Sequence, residues 1–220
     1  MDFLEFKKLD FKYSEDRKIF RNIDLSISKR ICTAITGPNG SGKTTLGKLM
    51  TGILKPEKGK VFLEGKDLSG LTHGMTGKKI GYLFQNPDLQ IFTLRVSEEL
   101  SFTHRFLGNS SEDIEPEVCR MLELFHLSDL KDQIPFNLSR GERQRLALAS
   151  VMMNKPEYLI LDEPTTGLDN IRKNILIDIL KSQIKNGTGM LIISHDHDFI
   201  KSLAHRVIKI DDGKLIEKDA

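Results

Sequence analysis

The chain has 220 residues, of which 39% are apolar and 29% charged, as expected for a globular protein with its own core. Its net charge of +2 gives no indication of a nucleic-acid-binding surface. Cys32 and Cys119 lie far apart and match no metal-binding spacing, which favours reduced thiols. No apolar run approaches the ~20 residues of a spanning helix, and no signal peptide is recognisable, so we expect a cytoplasmic chain unless a partner holds it at a membrane.

The first third of the chain changes from strand-like to helix-like periodicity. Apolar and polar residues alternate over residues 1–35, which predicts antiparallel strands with a turn near residues 14–18. A short apolar strand at residues 31–35 then leads into a glycine-rich loop. Apolar residues follow at helical spacing, and Lys55-Pro56-Glu57 with Gly59 is expected to end that helix; the apolar positions are Leu46, Leu49, Met50 and Ile53.

The remainder alternates strands with helices, which predicts an α/β fold with a parallel sheet. The predicted elements are strands at 61–63, 80–84, 158–161 and 190–194, a loop at 65–79, a helical block at 96–153 broken near 108–111 and 134–137, a helix at 171–180, and a hairpin at 207–216. We expect a single domain spanning 1–220, in which residues 88–155 form an inserted helical arm.

The glycine-rich loop matches the phosphate-binding P-loop pattern between a strand and a helix. Its residues are Gly37, Pro38, Asn39, Gly40, Ser41, Gly42, Lys43, Thr44 and Thr45. The glycines allow backbone N–H groups to surround phosphate oxygens, and the helix adds its positive N-terminal end. Lys43 would reach the β and γ phosphates, and the Thr44 hydroxyl would bind Mg²⁺. A chance glycine-rich turn is the alternative, which the strand–loop–helix context argues against.

A second motif, Leu159-Ile-Leu-Asp162-Glu163, is a strand that ends in two acids. It places Asp162 near the Mg²⁺, while Glu163 could orient and deprotonate an attacking water, a role worth ~10²–10⁴-fold in rate. A single acid there could merely cap a helix, but the second acid is more informative.

The stretch Leu138-Ser139-Arg140-Gly141-Glu142 resembles the Leu-Ser-Gly-Gly-Gln signature of the ATP-binding cassette (ABC) family, and the resemblance covers essentially the whole chain. Each further marker is weak alone, since a lone His is usually structural and a lone Tyr usually core, but they occur in the family's order. These markers are Tyr13, where the family has an aromatic that stacks on adenine, Gln85, Gly167-Leu168-Asp169, and His195.

The resemblance implies a P-loop NTPase fold with a parallel-sheet core, an N-terminal antiparallel β subdomain and an inserted α-helical subdomain. It implies ATP and Mg²⁺ as cofactors and two subunits that enclose two ATP molecules head to tail. Ser139 is expected at a helix N-terminus, where it would meet the γ-phosphate held by the other subunit. The implied roles are catalytic for Glu163, His195 and Gln85, metal-binding for Thr44, Gln85 and Asp162, and nucleotide-binding for Tyr13, residues 37–45, Ser139, Gly141 and Asp169.

The sequence departs from the family pattern at three places. Arg140 replaces the first signature glycine and Glu142 replaces the glutamine, whereas Gly141 is intact. We expect Arg140 to project outward; an inward side chain would add charge and bulk beside the phosphate. Lys29-Arg30-Ile31 stands where the family has a glycine turn, so the turn geometry is expected to differ.

The stretch from Phe84 to Phe92, which reads Phe-Gln-Asn-Pro-Asp-Leu-Gln-Ile-Phe, resembles that of energy-coupling-factor importers of vitamins and cobalt or nickel. Pro87 can begin a helix. Gln90, Ile91 and Phe92 would line a groove for a membrane subunit, unless Ile91 and Phe92 are simply core.

This resemblance implies an ATPase subunit at the cytoplasmic face of the cell membrane. Its partners would be a second ATPase subunit, identical or related, a membrane-embedded coupling subunit and a substrate-binding membrane subunit, and no nucleic acid. The long coiled coil of the DNA-repair class, the paired cassettes of the translation class and the spanning helices of fused exporters are all missing from the sequence. The alternatives are an ABC-type regulator or scaffold and, more distantly, a P-loop kinase.

Overall fold

A computed structural model describes residues 2–15 and 17–218. The strands are β1 (Leu4–Ser14), β2 (Arg17–Ile27), β3 (Cys32–Thr36), β4 (Lys58–Leu63), β5 (Lys66–Asp67), β6 (Ile80–Leu83), β7 (Tyr158–Asp162), β8 (Gly189–Ile193), β9 (Arg206–Asp211) and β10 (Lys214–Lys218). The helices are α1 (Lys43–Met50), α2 (His73–Gly77), α3 (Val96–Phe106), α4 (Ser111–Leu124), α5 (Arg140–Met153), α6 (Asn170–Lys185) and α7 (His197–Leu203).

The strands form two sheets, as the alternating patterns predict. An antiparallel sheet has the order β2-β1-β4-β5, and a six-stranded sheet has the order β10-β9-β3-β8-β7-β6. The second sheet is parallel except for β10, which closes a hairpin with β9 at one edge. The predicted antiparallel N-terminal sheet and parallel core are therefore confirmed.

Two apolar clusters cover the two faces of the parallel sheet, and β7 contributes to both. Tyr158 and Ile160 pack in the cluster that contains α1 and the antiparallel sheet. Leu159 and Leu161 pack in the cluster that contains α3 to α6. This alternation explains why β7 reads as a continuous apolar run, since a strand covered on both faces has no polar side. It also fixes the end of the strand, and thus Asp162, within the packed interior.

The structure differs from the predictions in two elements near α1. The helix ends at Met50, before Lys55-Pro56-Glu57, because Thr51 caps it and Gly52 adopts a left-handed φ of 74°. The segment 65–79, predicted as a loop, contains β5 and the short helix α2, whose first turn is capped by the Thr72 hydroxyl. Of the helices in the described residues, none has both the length and the apolar character to cross a membrane.

Three helices, α3, α4 and α5, lie between β6 and β7 in the chain. They are inserted in the chain between two strands that pair directly, where the sequence predicts helical residues, and the observed breaks between them include both predicted ones. The bounds 88–155 for an inserted subdomain remain a prediction.

Candidate nucleotide site

The P-loop connects the end of β3 to the start of α1. Gly42 precedes the helix with a φ of 106°, and a Cβ there would lie 2.5 Å from Ile19 Cγ2. Gly37 has a φ of 144°, and its Cβ would lie 2.5 Å from the carbonyl oxygen of Ile210. Only glycine can adopt these positive φ values and also leave room for the neighbouring atoms, so these two positions shape the loop around the helix N-terminus.

Lys43 is the first residue of α1 and is buried. Its Nζ donates hydrogen bonds to the carbonyl oxygens of Gly37 at 2.9 Å and Pro38 at 3.0 Å. Burial lowers the pKa of Lys43, and the nearby carboxylates of Glu163 and Asp162 oppose that shift. The ammonium group is thus held inside the loop, where phosphate oxygens can replace the two carbonyls as its partners.

The loop opens into a cleft of about 630 Å³, a volume typical of small-molecule sites. The lining residues predicted from the sequence are Tyr13, Asn39, Gly40, Gly42, Lys43, Thr44, Thr45, Gln85, Asp162, Glu163 and His195. Sequence reasoning missed Arg17, Ile19, Thr166 and Ile193, which also line it. The available signal for Arg17 is its position in the β1–β2 hairpin, where it pairs with Ser14, next to Tyr13.

Asp162 closes β7 and is 1% exposed. The Tyr82 hydroxyl donates to its Oδ2 at 3.4 Å, while Oδ1 is buried without a hydrogen-bond partner. Burial raises the pKa of Asp162, and the nearby Thr44 and Tyr82 hydroxyls oppose the rise. An unpaired buried carboxylate oxygen costs stability unless something binds it, so Asp162 is ready to accept a cation or a water.

Glu163 follows directly and has a left-handed φ of 52°, a conformation that costs a non-glycine residue about 1–3 kcal/mol. Its backbone N–H donates to the Ile193 carbonyl oxygen at 2.8 Å, which fixes the turn. Its Oε1 lies 3.6 Å from His195 Nε2, and the Ser194 hydroxyl lies 3.5 Å from Oε2. Burial raises the pKa of Glu163, which makes its carboxylate a stronger base.

Tyr13 is a half-exposed cleft residue, not a core residue. Its hydroxyl lies 3.0 Å from Thr45 Oγ1, and its ring packs edge-on against Phe11 at 5.0 Å. These contacts hold the ring at the mouth of the cleft, where a base could stack on it.

Ser139 is the N-cap of α5, as predicted, but it lies outside this cleft, as do Gly141 and Asp169. A Cβ on Gly141 would lie 2.5 Å from the Gly167 carbonyl oxygen of the same chain. Asp169 caps α6 by accepting a hydrogen bond from the Arg172 N–H at 2.8 Å. Nucleotide-binding roles for these three residues remain predictions that need a second subunit. Gly37, Pro38 and Ser41 belong to the loop but do not line the cleft either.

The segment after Gln85 does not form the predicted groove in full. Ile91 is 3% exposed and belongs to the core, so its assignment to a docking groove is wrong. Phe92 is 59% exposed, and Gln90 bridges the Phe84 N–H and the Tyr82 carbonyl oxygen, each at 3.3 Å. Pro87 begins a short 3₁₀ helix, as a proline at a first helical turn can.

Proteins with similar sequences also bind ATP, as the geometry of this cleft suggests. A profile of the ABC transporter family matches residues 20–166. A Pyrococcus furiosus protein with the provisional name ABC transporter ATP-binding protein is 40% identical over 212 residues, or 96% of this chain and 81% of that protein. The energy-coupling factor transporter ATP-binding protein EcfA of Methanothermobacter thermautotrophicus is 36% identical over 215 residues, or 97% of this chain and 69% of that protein.

Solved structures share the fold. CbiO1 of Clostridium perfringens, part of the ABC transporter complex CbiONQ, matches with a TM-score of 0.84 and 32% identity over 98% of this chain and 87% of its own. The ATP-binding cassette MJ0796, in a dimeric post-hydrolysis state bound to ADP and Pi, matches with a TM-score of 0.87 and 26% identity over 98% of both chains. The chain therefore belongs to the ABC transporter family, as an ATP-binding subunit that hydrolyses ATP.

Proposed function

We propose that this subunit powers an importer of the energy-coupling-factor type, which carries a vitamin or a metal ion. The names of two relatives support this assignment, because one is an energy-coupling factor ATPase and the other belongs to the CbiONQ complex. The observation that carries the proposal is an exposed aromatic surface that includes Phe92, the last residue of the stretch that resembles those ATPases.

This aromatic surface consists of Phe92, Phe102 and Phe106. Phe102 packs edge-on against Phe92 at 4.6 Å and lies parallel to Phe106 at 6.3 Å. Phe106 is 81% exposed, and all three rings face solvent in part. Large apolar side chains grouped on a surface mark a binding site for another protein.

A cleft of about 240 Å³ adjoins these rings, with Gln90, Phe92 and Phe102 in its walls. The buried carboxylate of Glu99 accepts hydrogen bonds from the Phe92 N–H at 3.2 Å and the Thr93 N–H at 3.1 Å, which holds the segment in place. We expect an apolar helix of the membrane-embedded coupling subunit to dock here. The docked helix would then move when Gln85 moves, because Gln85 lines the nucleotide cleft and precedes Phe92 by only a few residues in the chain.

The nucleotide cleft supplies the residues for hydrolysis. Lys43 would bind the phosphates, and Glu163 would orient the water and take its proton. The unpaired Oδ1 of Asp162, the Thr44 hydroxyl and the Gln85 amide oxygen are the hard oxygen donors that Mg²⁺ prefers. Bound Mg²⁺ would neutralise charge on the phosphates. Among the described residues, no group of three or more His, Cys, Asp or Glu side chains is placed to hold a metal ion.

The other half of each nucleotide site would come from a second ATPase subunit, identical or related. We propose that ATP binding closes this dimer, with Ser139 and Gly141 of each subunit at the other's nucleotide, and that hydrolysis opens it. The whole complex, with a substrate-binding membrane subunit, would place this chain at the cytoplasmic face of the membrane. The dimeric state of the MJ0796 cassette supports this arrangement.

The experiment is ATP-dependent uptake of labelled vitamin, cobalt or nickel by cells that express the chain with membrane subunits from its own genome. A Phe102→Ser, Phe106→Ser variant should keep the ATPase activity of the isolated chain and lose uptake. Ile171→Ser is the control, because Ile171 is also a large exposed apolar residue but lies on α6. Uptake that persists in the double variant, or that does not need ATP, would refute the proposal.

A further inference from the structure

Arg17 lies beside the aromatic residue that sequence reasoning assigns to the base. It is the first residue of β2, across the hairpin turn from Tyr13, and both side chains line the nucleotide cleft. The guanidinium carbon of Arg17 lies over the Tyr13 ring, 5.6 Å from its centroid. A cation at this distance from an aromatic face is attracted by the ring quadrupole.

The Tyr13 ring is less free to move than the Arg17 guanidinium. Its hydroxyl is tied to Thr45 on the P-loop helix, and its ring rests against the buried Phe11. Arg17, in contrast, is exposed and has a long flexible side chain. Of the two side chains, Tyr13 is therefore held in place, whereas Arg17 can move away from it.

We propose that Arg17 is the second wall of the base site, so that the adenine base is held between the Tyr13 ring and the Arg17 guanidinium. The inference rests on the nucleotide cleft described above. A planar guanidinium stacks on aromatic faces, and nucleobases stack on both aromatic rings and arginine planes. Without nucleotide the guanidinium covers the ring, and an entering base displaces it outward and takes its place against Tyr13.

The test separates a contact with the base from one with the phosphates. Dissociation constants are measured for ATP and for inorganic tripolyphosphate, which has no base, on wild type, Arg17→Ala and Lys18→Ala. Lys18→Ala is the matched control, since it removes the same charge from the same hairpin at an exposed position outside the cleft. Arg17→Ala should weaken ATP binding by roughly 2- to 5-fold, as expected for an exposed cation–π contact, and leave tripolyphosphate binding and the control unchanged.

Two further variants sharpen the result. Arg17→Lys keeps the charge but loses the plane, so it should recover only part of the ATP affinity. In a Tyr13→Ala background, Arg17→Ala should add little, because one wall has already gone.

Equal losses for ATP and tripolyphosphate would overturn the proposal, since Arg17 would then bind phosphate. Unchanged ATP affinity would overturn it too, because Arg17 would only shield Tyr13. A wild-type chain that binds neither probe would instead count against the nucleotide site itself, so the two failures are distinguishable. Melting temperatures of all variants confirm that they are folded.

Discussion

Glu142 Oε2 accepts two hydrogen bonds from Ser139, one from its hydroxyl at 2.7 Å and one from its backbone N–H at 2.8 Å. The Glu142 N–H in turn donates to Ser139 Oγ at 3.3 Å, which completes a capping box at the start of α5. The hydroxyl predicted to meet a partner's phosphate is thus already used by its own helix. The bonds from Ser139 also lower the pKa of Glu142, so a negative charge stands where the family has a neutral glutamine.

Replacing that charge should strengthen the ATP-bound dimer. Glu142→Gln keeps an oxygen that can accept from the Ser139 N–H but removes the charge that would repel a phosphate at the helix N-terminus. Interactions between exposed charges are worth about 0.2–1 kcal/mol, so the dimer dissociation constant at saturating ATP should fall by roughly 1.5- to 5-fold. Sedimentation analysis in a Glu163→Gln background measures it, with Glu112→Gln in the first turn of α4 as the control. A weaker dimer would show that the Glu142 carboxylate instead has a favourable partner across the interface.

The signature is also tied to its own chain at Gly141. Gly141→Ala would bring a Cβ to 2.5 Å from the Gly167 carbonyl oxygen. Because this oxygen belongs to the backbone, it cannot move aside without a large cost in free energy. We expect a loss of about 1–3 kcal/mol in the free energy of unfolding, as for other overpacked sites. Urea titration measures it, and Gly77→Ala in α2 is the control, because its Cβ would meet nothing within 4 Å. Equal stability of the Gly141 variant and wild type would mean that the two segments separate freely.

Ile91 and Phe92 are neighbours in sequence with opposite environments, so single substitutions should separate them. Ile91→Ser should cost at least the ~2–5 kcal/mol of an Ile-to-Ala change in a core. Phe92→Ser should change stability by only about 0.5 kcal/mol, as at most surface sites, while weakening a membrane partner's binding. Thermal melting of the isolated chain tests both. A larger loss for Phe92 than for Ile91 would contradict this assignment.

Four charged side chains join the two sheets at the end opposite the nucleotide. Lys29 pairs with Glu64 at 2.9 Å and also with Glu157, and Lys79 pairs with Glu64 and lies 3.6 Å from Glu157. This network gives Lys29 a structural role at the position where the family has a glycine turn. Because the groups are partly exposed, we expect Glu64→Gln to lower the free energy of unfolding by only about 0.5–1 kcal/mol at low salt, and by less at high salt.

The pH dependence of that difference has a definite sign. Hydrogen bonds from Lys79 and Lys29 lower the pKa of Glu64, so its contribution is full above the ordinary glutamate pKa and is lost as the pH falls through the lowered value. The gap between wild type and Glu64→Gln should therefore be present at neutral pH and shrink in acid. A gap that widens in acid would assign the stabilisation to another cause.

The sequence predicted the nucleotide site better than its surroundings. The P-loop and Asp162-Glu163 follow parallel strands, whose carboxyl ends meet at one edge of a sheet, so their convergence follows from topology. The sequence also predicted Ser139 at a helix N-terminus, but the prediction missed its capping box with Glu142, although Ser-x-x-Glu before a helix is the signature of such a box. The close approach of Gly141 to Gly167 depends on tertiary packing between distant segments, and no periodicity reports it. Ile91 lies in a short irregular segment, where apolar spacing does not tell buried from exposed positions.

The central claim is that Glu163 takes the proton of the attacking water. The measurement is steady-state ATP turnover by Glu163→Gln, together with ATP binding and gel filtration. The amide keeps the shape but accepts no proton, so turnover should fall by ~10²–10⁴-fold while ATP binding persists and the chain accumulates as an ATP-bound dimer. Turnover close to that of the wild type would contradict the account, because Glu163 could not then be the base.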